Sequence, residues 1–223
     1  MKKDREQMPY IFLSERLEFP PLDRTDEEGL LAIGGDLSPE RLLLAYKNGI
    51  FPWFNEGSPI LWWSPEPRMV LFPHKVKVTK SMQKVMASKQ FVLTQNKAFD
   101  EVIDQCAIIP RPGQKGTWIS SEMKSAYQKL HALGHATSYE VWEGNELVGG
   151  LYGVDLGQIF CGESMFSKRT NASKFAFIHL AQELQQKNYR LIDCQVYNPH
   201  LESLGAEEIS RDDFIGILKN VLP

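Results

Sequence analysis

A chain of 223 residues, 43% apolar and 24% charged, is long enough to bury about 70–75% of its unfolded surface without disulfide or metal staples. Its net charge of −3 excludes a general polyanion sponge, so a nucleic-acid partner would need a local basic patch. No run approaches the ~20 apolar residues of a membrane helix, and the opening MKKDREQMPYIFL lacks an apolar stretch of signal-peptide length. Cys106, Cys161 and Cys194 are scattered, with no C-x-x-C and no histidine at ligand spacing. The expectation is a chain neither exported nor membrane-spanning, cytoplasmic, with buried free thiols and no metal or other cofactor.

Residues 1 to about 28 are polar and irregular. Ser38 then caps a helix with Pro39 in its first turn, Leu42, Leu43, Ala45 and Tyr46 as its buried stripe, and Gly49 as its end. Phe51, Trp53, Phe54, Trp62 and Trp63 follow among prolines, which suggests a small domain whose aromatic wall faces something. The stretch 65–73 is proline-rich and carries turn signals, so it reads as a boundary between a domain over 1–66 and one over 67–223. Beyond it, HKVKVTK reads as a strand with Lys75 and Lys77 on one face. SMQKVMASK reads as a helix that stacks Lys80 on Lys84. FVLTQNKAFDEVIDQCA is a strand then a helix, and IPRPGQKGTWIS is a loop carrying Arg111, Lys115 and Trp118. SSEMKSAYQKLHALG is an amphipathic helix with Met123, Ala126, Tyr127, Leu130 and Leu133 inward and Gly134 as stop.

SYEVWEGNELVGGLYGV gives two strands around Gly144-Asn145, and the second leads through Asp155-Leu156-Gly157 into a further strand ending CGESMF. A helix follows, with Asn171 or Ser173 as candidate cap and Phe177, Ile178, Leu180, Ala181 and Leu184 on one broad apolar face. YRLIDCQVY is a short strand: Ile192, Cys194 and Val196 take one face, Asp193 and Gln195 the other. NPHLESLGAEEI suggests a short helix ending at Gly205, and Ser210 caps a last helix with Phe214, Ile217, Leu218 and Val221 inward. The class is α+β, with a mixed, mostly antiparallel sheet flanked by helices. Two features ask for chemistry. Glu163 can join Asp193 and Gln195 on one platform beside the basic turn of Lys168 and Arg169, at a helix N-terminus suited to anions. From Pro73 to Ala98 the chain holds Lys75, Lys77, Lys80, Lys84, Lys89 and Lys97 and no acidic residue, a phosphate-binding patch or else a solvated face.

The element order resembles the acyltransferase fold of the GNAT superfamily, with one departure. Acetyl-CoA enzymes of that superfamily present a glycine-rich pyrophosphate loop before the helix, whereas SKRTNASK has no glycine. The stretches GGDLSPERLLLAYKNGIFPWF, PILWWSPEPR, GTWI, ELVGGLYG, FCGESMFS, NASK and LIDCQV together resemble the leucyl/phenylalanyl-tRNA–protein transferases, over roughly residues 29 to 212. That resemblance implies a small N-terminal domain plus a GNAT-like C-terminal domain. It implies transfer of Leu or Phe, and less well Met, from aminoacyl-tRNA to the α-amino group of proteins with N-terminal Arg or Lys, marking them for N-degron degradation. By motif it implies Gln195, Asp193 and Glu163 as catalytic residues, and Trp53 and Trp118 as holders of the terminal adenosine. Tyr127, Leu151 and Phe160 would line the aminoacyl pocket, with Asn198 helping; Leu151 stands where the family often has Met. Lys75, Lys77, Lys80, Lys84, Lys89, Lys168 and Arg169 would hold tRNA phosphates. No membrane partner is implied, and a monomer is expected. A non-catalytic tRNA-binding module and a GNAT-like acyltransferase with another donor remain the competing readings.

Overall fold

The structure is a computed structural model and describes residues 10–109 and 118–221. A four-stranded sheet comes first: β1 (Phe12–Leu13), β2 (Leu30–Gly34), β3 (Phe51–Pro52) and β4 (Leu61–Trp63), in the order β1-β2-β4-β3. Between β2 and β3 lies α1 (Pro39–Lys47). Ser38 Oγ accepts the Arg41 amide at 3.3 Å, Pro39 occupies the first helical position, and Gly49 with φ +73° ends the run. Leu42, Ala45 and Tyr46 are buried as the spacing requires.

A seven-stranded sheet follows, in the order β11-β5-β10-β9-β8-β7-β6. Its members in chain order are β5 (Arg68–Leu71), β6 (Val92–Gln95), β7 (Ala136–Glu143), β8 (Glu146–Asp155), β9 (Ile159–Ser167), β10 (Leu191–Gln195) and β11 (Glu207–Ile209). The remaining helices are α2 (Lys80–Ala87), α3 (Phe99–Ile108), α4 (Ser121–Ala132), α5 (Ala172–Gln186), α6 (Pro199–Ser203) and α7 (Arg211–Val221). All pairings in this sheet are antiparallel except β9 with β10. One apolar cluster fills the space between the two sheets, from Leu31, Tyr46 and Trp62 through Phe99, Met123 and Tyr152 to Phe214 and Leu218. A second lies on the far face of the large sheet, under α2, α5 and α6, with Met82, Phe175, Ile178 and Leu201. Both faces of β8 and β10 are therefore covered, which is why these strands read as nearly continuous apolar runs.

The α+β class holds, and so do the hairpin of β8 and β9, the two helices α3 and α4, and the apolar face of α5. Several expectations fail locally. The proline-rich stretch 65–73, expected to carry turn signals, contains β5, whose four residues are all buried, between β11 and β10 of the large sheet. HKVKVTK is no strand: Pro73–Lys75 forms a 3₁₀ turn, and the Lys77 amide bonds to Leu204 O at 2.9 Å. The expected short helix does end before Gly205 (φ +105°), and a strand not foreseen follows at Glu207–Ile209. Leu133 is 60% exposed, beyond the last turn of α4, and Val196 is 41% exposed, beyond β10. Asn171 does occupy the cap position of α5, but in the left-handed region (φ +71°) and without a side-chain cap bond. Among the described residues no helix is long and apolar enough to cross a membrane.

Candidate active site

The site follows from the way β10 ends. It pairs in parallel with β9 over only three positions, the last being Asp193 opposite Cys161. The register against β5 then shifts between Asp193 and Gln195, and Gln195 takes φ +61°. Val196 N–H closes a tight turn on Cys194 O at 2.9 Å. A left-handed glutamine costs about 1–3 kcal/mol unless its surroundings impose it. Here Asp193 Oδ1 accepts the Gln195 backbone N–H at 3.0 Å and holds the turn. Past this point β9 continues to Ser167 beside β8, so the strands diverge and leave a wedge.

The wedge opens into a cavity of about 310 Å³. Leu151, Phe160, Phe177, Leu180, Ile192 and Leu201 give it an apolar floor, and Phe51, Pro52, Trp53 and Trp118 form the opposite wall. Gly162 to Met165 of β9, together with Cys194, Gln195, Val196 and Asn198, line its mouth. Among the described residues Glu163 is the one charged side chain on the lining. Its Oε1 accepts the Tyr46 hydroxyl at 2.8 Å, and its Oε2 accepts the Tyr127 hydroxyl at 2.5 Å. The two phenols are 2.6 Å apart, and Gln195 Nε2 reaches Glu163 Oε1 at 3.4 Å. Burial pushes the Glu163 carboxyl up to about 7, against the pull of the two hydroxyls. Burial likewise raises both tyrosines well above their usual value, so they remain neutral donors.

Asp193 keeps the face that alternation assigns it, opposite Ile192 and Cys194, and it is Gln195 that leaves that face for the cavity. Asp193 is 1% exposed and off the cavity lining, and it accepts Arg68 Nε at 2.8 Å and Arg68 Nη2 at 2.7 Å. The guanidinium sits 4.8 Å from the Phe51 ring centroid and 4.6 Å from that of Phe214. The pair is bidentate and the rings flank the guanidinium, while Arg68 Nη1 is buried with no hydrogen-bond partner among the described residues. Asp193 therefore does not share a face with Gln195. The bulge turns the Gln195 side chain into the cavity, while the carboxylate grips its backbone from behind.

Other sequence candidates divide in the same way. Trp53 (41% exposed), Trp118, Leu151, Phe160 and Asn198 all line the cavity, and Asn198 also caps α6 by accepting His200 N at 2.9 Å. Tyr127 does not line it; it is fully buried and its hydroxyl goes to Glu163. Lys75, Lys77, Lys80, Lys84, Lys89 and Lys168 are exposed. Lys75 is partly occupied, with an ion pair to Glu207 and the Phe72 ring 4.9 Å away. Arg169 is committed to Glu143 and Glu146 at 3.2 and 3.0 Å. Arg111 and Lys115 lie outside the described residues. Arg68 and Tyr46 join the site without being among the sequence candidates. A charged residue opening the buried run Met69-Val70-Leu71 is the available signal for Arg68. Tyr46 reads from the sequence only as core, and nothing local announces the use of its hydroxyl.

Comparison with known proteins agrees over nearly the whole chain. The family described as "Leucyl/phenylalanyl-tRNA protein transferase" matches residues 70–219, and its N-terminal domain matches residues 35–66. A leucyl/phenylalanyl-tRNA–protein transferase of Flavobacterium johnsoniae is 63% identical over 96% of this chain and 100% of its own length. A namesake from Shewanella pealeana is 57% identical over 91% of this chain and 86% of its own. Among solved structures, a GCN5-related N-acetyltransferase from Kribbella flavida overlaps 77% of this chain and 61% of its own, with 8% identity and a TM-score of 0.38.

Proposed function

The chain belongs to the leucyl/phenylalanyl-tRNA–protein transferase family, and we propose that it moves Leu or Phe, and Met less well, from aminoacyl-tRNA to the α-amine of proteins beginning with Arg or Lys. It is an aminoacyltransferase with tRNA as donor and protein as acceptor. The product would carry a destabilising N-terminal residue and enter N-degron degradation. Three free, buried cysteines fit a reducing cytoplasm, where a monomer would suffice.

The observation that carries this reading is the cavity: apolar side chains, two tryptophans, and one carboxylate with the Gln195 amide beside it. The donor ester is already activated, so no covalent nucleophile is required. The acceptor amine, with a pKa near ~8, arrives largely as ammonium. Glu163, the lone charge on the described lining, attracts it. The Gln195 amide oxygen, whose amide nitrogen is turned toward Glu163, accepts a hydrogen bond from the amine and aims it at the ester carbonyl. The ammonium first loses one proton to water; the freed nitrogen attacks the carbonyl carbon, the bond to the ribose oxygen breaks, and that oxygen takes the nitrogen's second proton as the peptide bond forms. Positioning supplies most of the gain, since an amide is too weak a base to act alone. Asp193 serves by fixing the backbone of Gln195 rather than by polarising its side chain, because Arg68 saturates the carboxylate.

Trp53 and Trp118 would stack the terminal adenine, worth about 1–3 kcal/mol and indifferent to sequence further along the tRNA. The floor would select Leu and Phe by shape. One methylene is worth only about 1–3 kcal/mol there, so Met leaks through. Lysines from Lys75 to Lys89 would hold acceptor-stem phosphates without reading bases. The experiment is direct: the protein is incubated with charged phenylalanyl-tRNA and a protein starting with Arg, and the product is weighed. A mass gain of one Phe residue is expected; an unchanged mass overturns the reading.

A further inference from the structure

A glycine inside a strand weakens it, and is explained when the backbone, a crowded neighbour or a ligand requires one. Crowding suffices on β8. A Cβ at Gly149 would come within 2.6 Å of Ala172 Cβ, one at Gly150 within 2.7 Å of Tyr139 O, and one at Gly153 within 2.6 Å of the Phe160 ring. Gly162 of β9 is different. Its φ lies outside the left-handed region, and the nearest atoms to a Cβ there are Asp193 O at 3.7 Å and Ile192 Cγ2 at 4.0 Å. Those are ordinary van der Waals separations, so neither conformation nor packing excludes a side chain.

Gly162 stands on the cavity lining where β9 parts from β10. The cavity joins the two faces of the large sheet at this gap. Phe51 and Trp118 belong to the apolar cluster on one face, Phe160, Leu180 and Ile192 to the cluster on the other. Ile192 is the side chain that a Cβ at Gly162 would meet, so that Cβ would lie on the far face, in the chamber under α5. Under the reading above this chamber takes the donor's side chain, and the present inference rests on that reading. We propose that Gly162 is a specificity-determining residue that sets the largest side chain the donor can carry: the room beside Ile192 is filled by the ring of a phenylalanyl donor and is not needed by the smaller leucyl. A methyl on Gly162 would project into the chamber without displacing the protein. It would turn an enzyme that takes both donors into one that takes Leu. A single carbon in an apolar pocket is enough for this, since it changes kcat/KM by about 10–200-fold.

The test is Gly162→Ala, with kcat/KM measured separately for charged phenylalanyl-tRNA and leucyl-tRNA against one protein starting with Arg. The phenylalanyl value should fall about tenfold or more, and the leucyl value by no more than about threefold. The urea midpoint should not fall, since alanine is the better strand residue where nothing crowds it. Phe160→Leu returns volume to the same chamber, so adding it to Gly162→Ala should raise phenylalanyl transfer about fivefold or more over the single variant. Equal losses with both donors, a larger loss with Leu, no loss with either, or no recovery in the double variant overturns the proposal; in each case aminoacyl transfer itself stands. A parent that transfers neither residue removes the function and this inference together.

Discussion

Two carboxylates on neighbouring strands of one sheet serve opposite ends. Asp193 is sealed behind β10, matched by a bidentate arginine between two phenylalanine rings, and its charge is cancelled before any substrate arrives. Glu163 looks into the cavity from β9, held by two neutral phenols that give it hydrogen bonds but no countercharge. The first environment fixes backbone shape. The second leaves a carboxylate poised near neutrality and open to a cation. The difference shows that a carboxylate in a site acts according to what already neutralises it, not according to how near the chemistry it lies.

The largest effects should come from breaking the sealed pair. Arg68→Leu leaves the buried Asp193 uncompensated and should cost about 3–5 kcal/mol in a urea titration, with transfer abolished. Arg68→Met combined with Asp193→Leu should recover most of that stability, since apolar replacement of a whole buried pair is often neutral. Transfer should stay at least ~30-fold down, because the Gln195 N–H has no acceptor and the turn no clamp. Recovery of transfer by the double variant would break the comparison.

Glu163→Gln sharpens it from the other side. In the parent, acceptor kcat/KM should rise with pH through about 7 as the carboxylate ionises. The variant should lack that limb and be about 10–100-fold slower at pH 8, a loss of roughly 1.4–2.7 kcal/mol. Stability should move the opposite way. The folded-state value of about 7 lies above an unfolded value near ~4.3, so the native state holds the proton more tightly and the parent loses stability as pH rises through that window. The variant should therefore be more stable than the parent by roughly 1–3 kcal/mol at pH 8 and show no such gain at pH 4. Identical pH profiles for parent and variant would return Glu163 to a structural role.

Smaller effects belong to the donor side, where neither carboxylate takes part. Trp53→Ala should weaken tRNA binding by about 1–3 kcal/mol, read by filter binding, and leave the pH profile unchanged. Lys80→Ala with Lys84→Ala should flatten the dependence of log affinity on log salt by ~0.7–0.9 for each phosphate no longer neutralised. An unaltered slope would make these lysines a solvated face, as their exposure permits.

Periodicity makes most of the elements legible: the cap at Ser38, the stripes of α1, α4 and α5, and the turns at Gly144 and Gly157 all follow from local rules. The rest escapes for physical reasons. β5 is four residues between prolines and buried on both faces, so it shows no alternation. Val76 and Val78 alternate with lysines as in a strand, but Pro73 starts a 3₁₀ turn and the segment joins neither sheet. Within the site, the face of Asp193 is legible from alternation, whereas the turn that carries Gln195 to the other face is not. The carboxylate that accepts the Gln195 N–H is itself bound by Arg68, 125 positions upstream, and no window on the sequence spans that distance.

The rings around that arginine come from distant parts of the chain, Phe51 from the first sheet and Phe214 from α7. α7 is also tied back to the first sheet region, through Arg211 Nη1 to Thr25 Oγ1 and Ser64 O, both at 2.7 Å. Without α7 the guanidinium would lose its second ring and water would reach it, so the support of the glutamine turn depends on a helix more than 140 positions from the arginine and on the first sheet region that holds that helix.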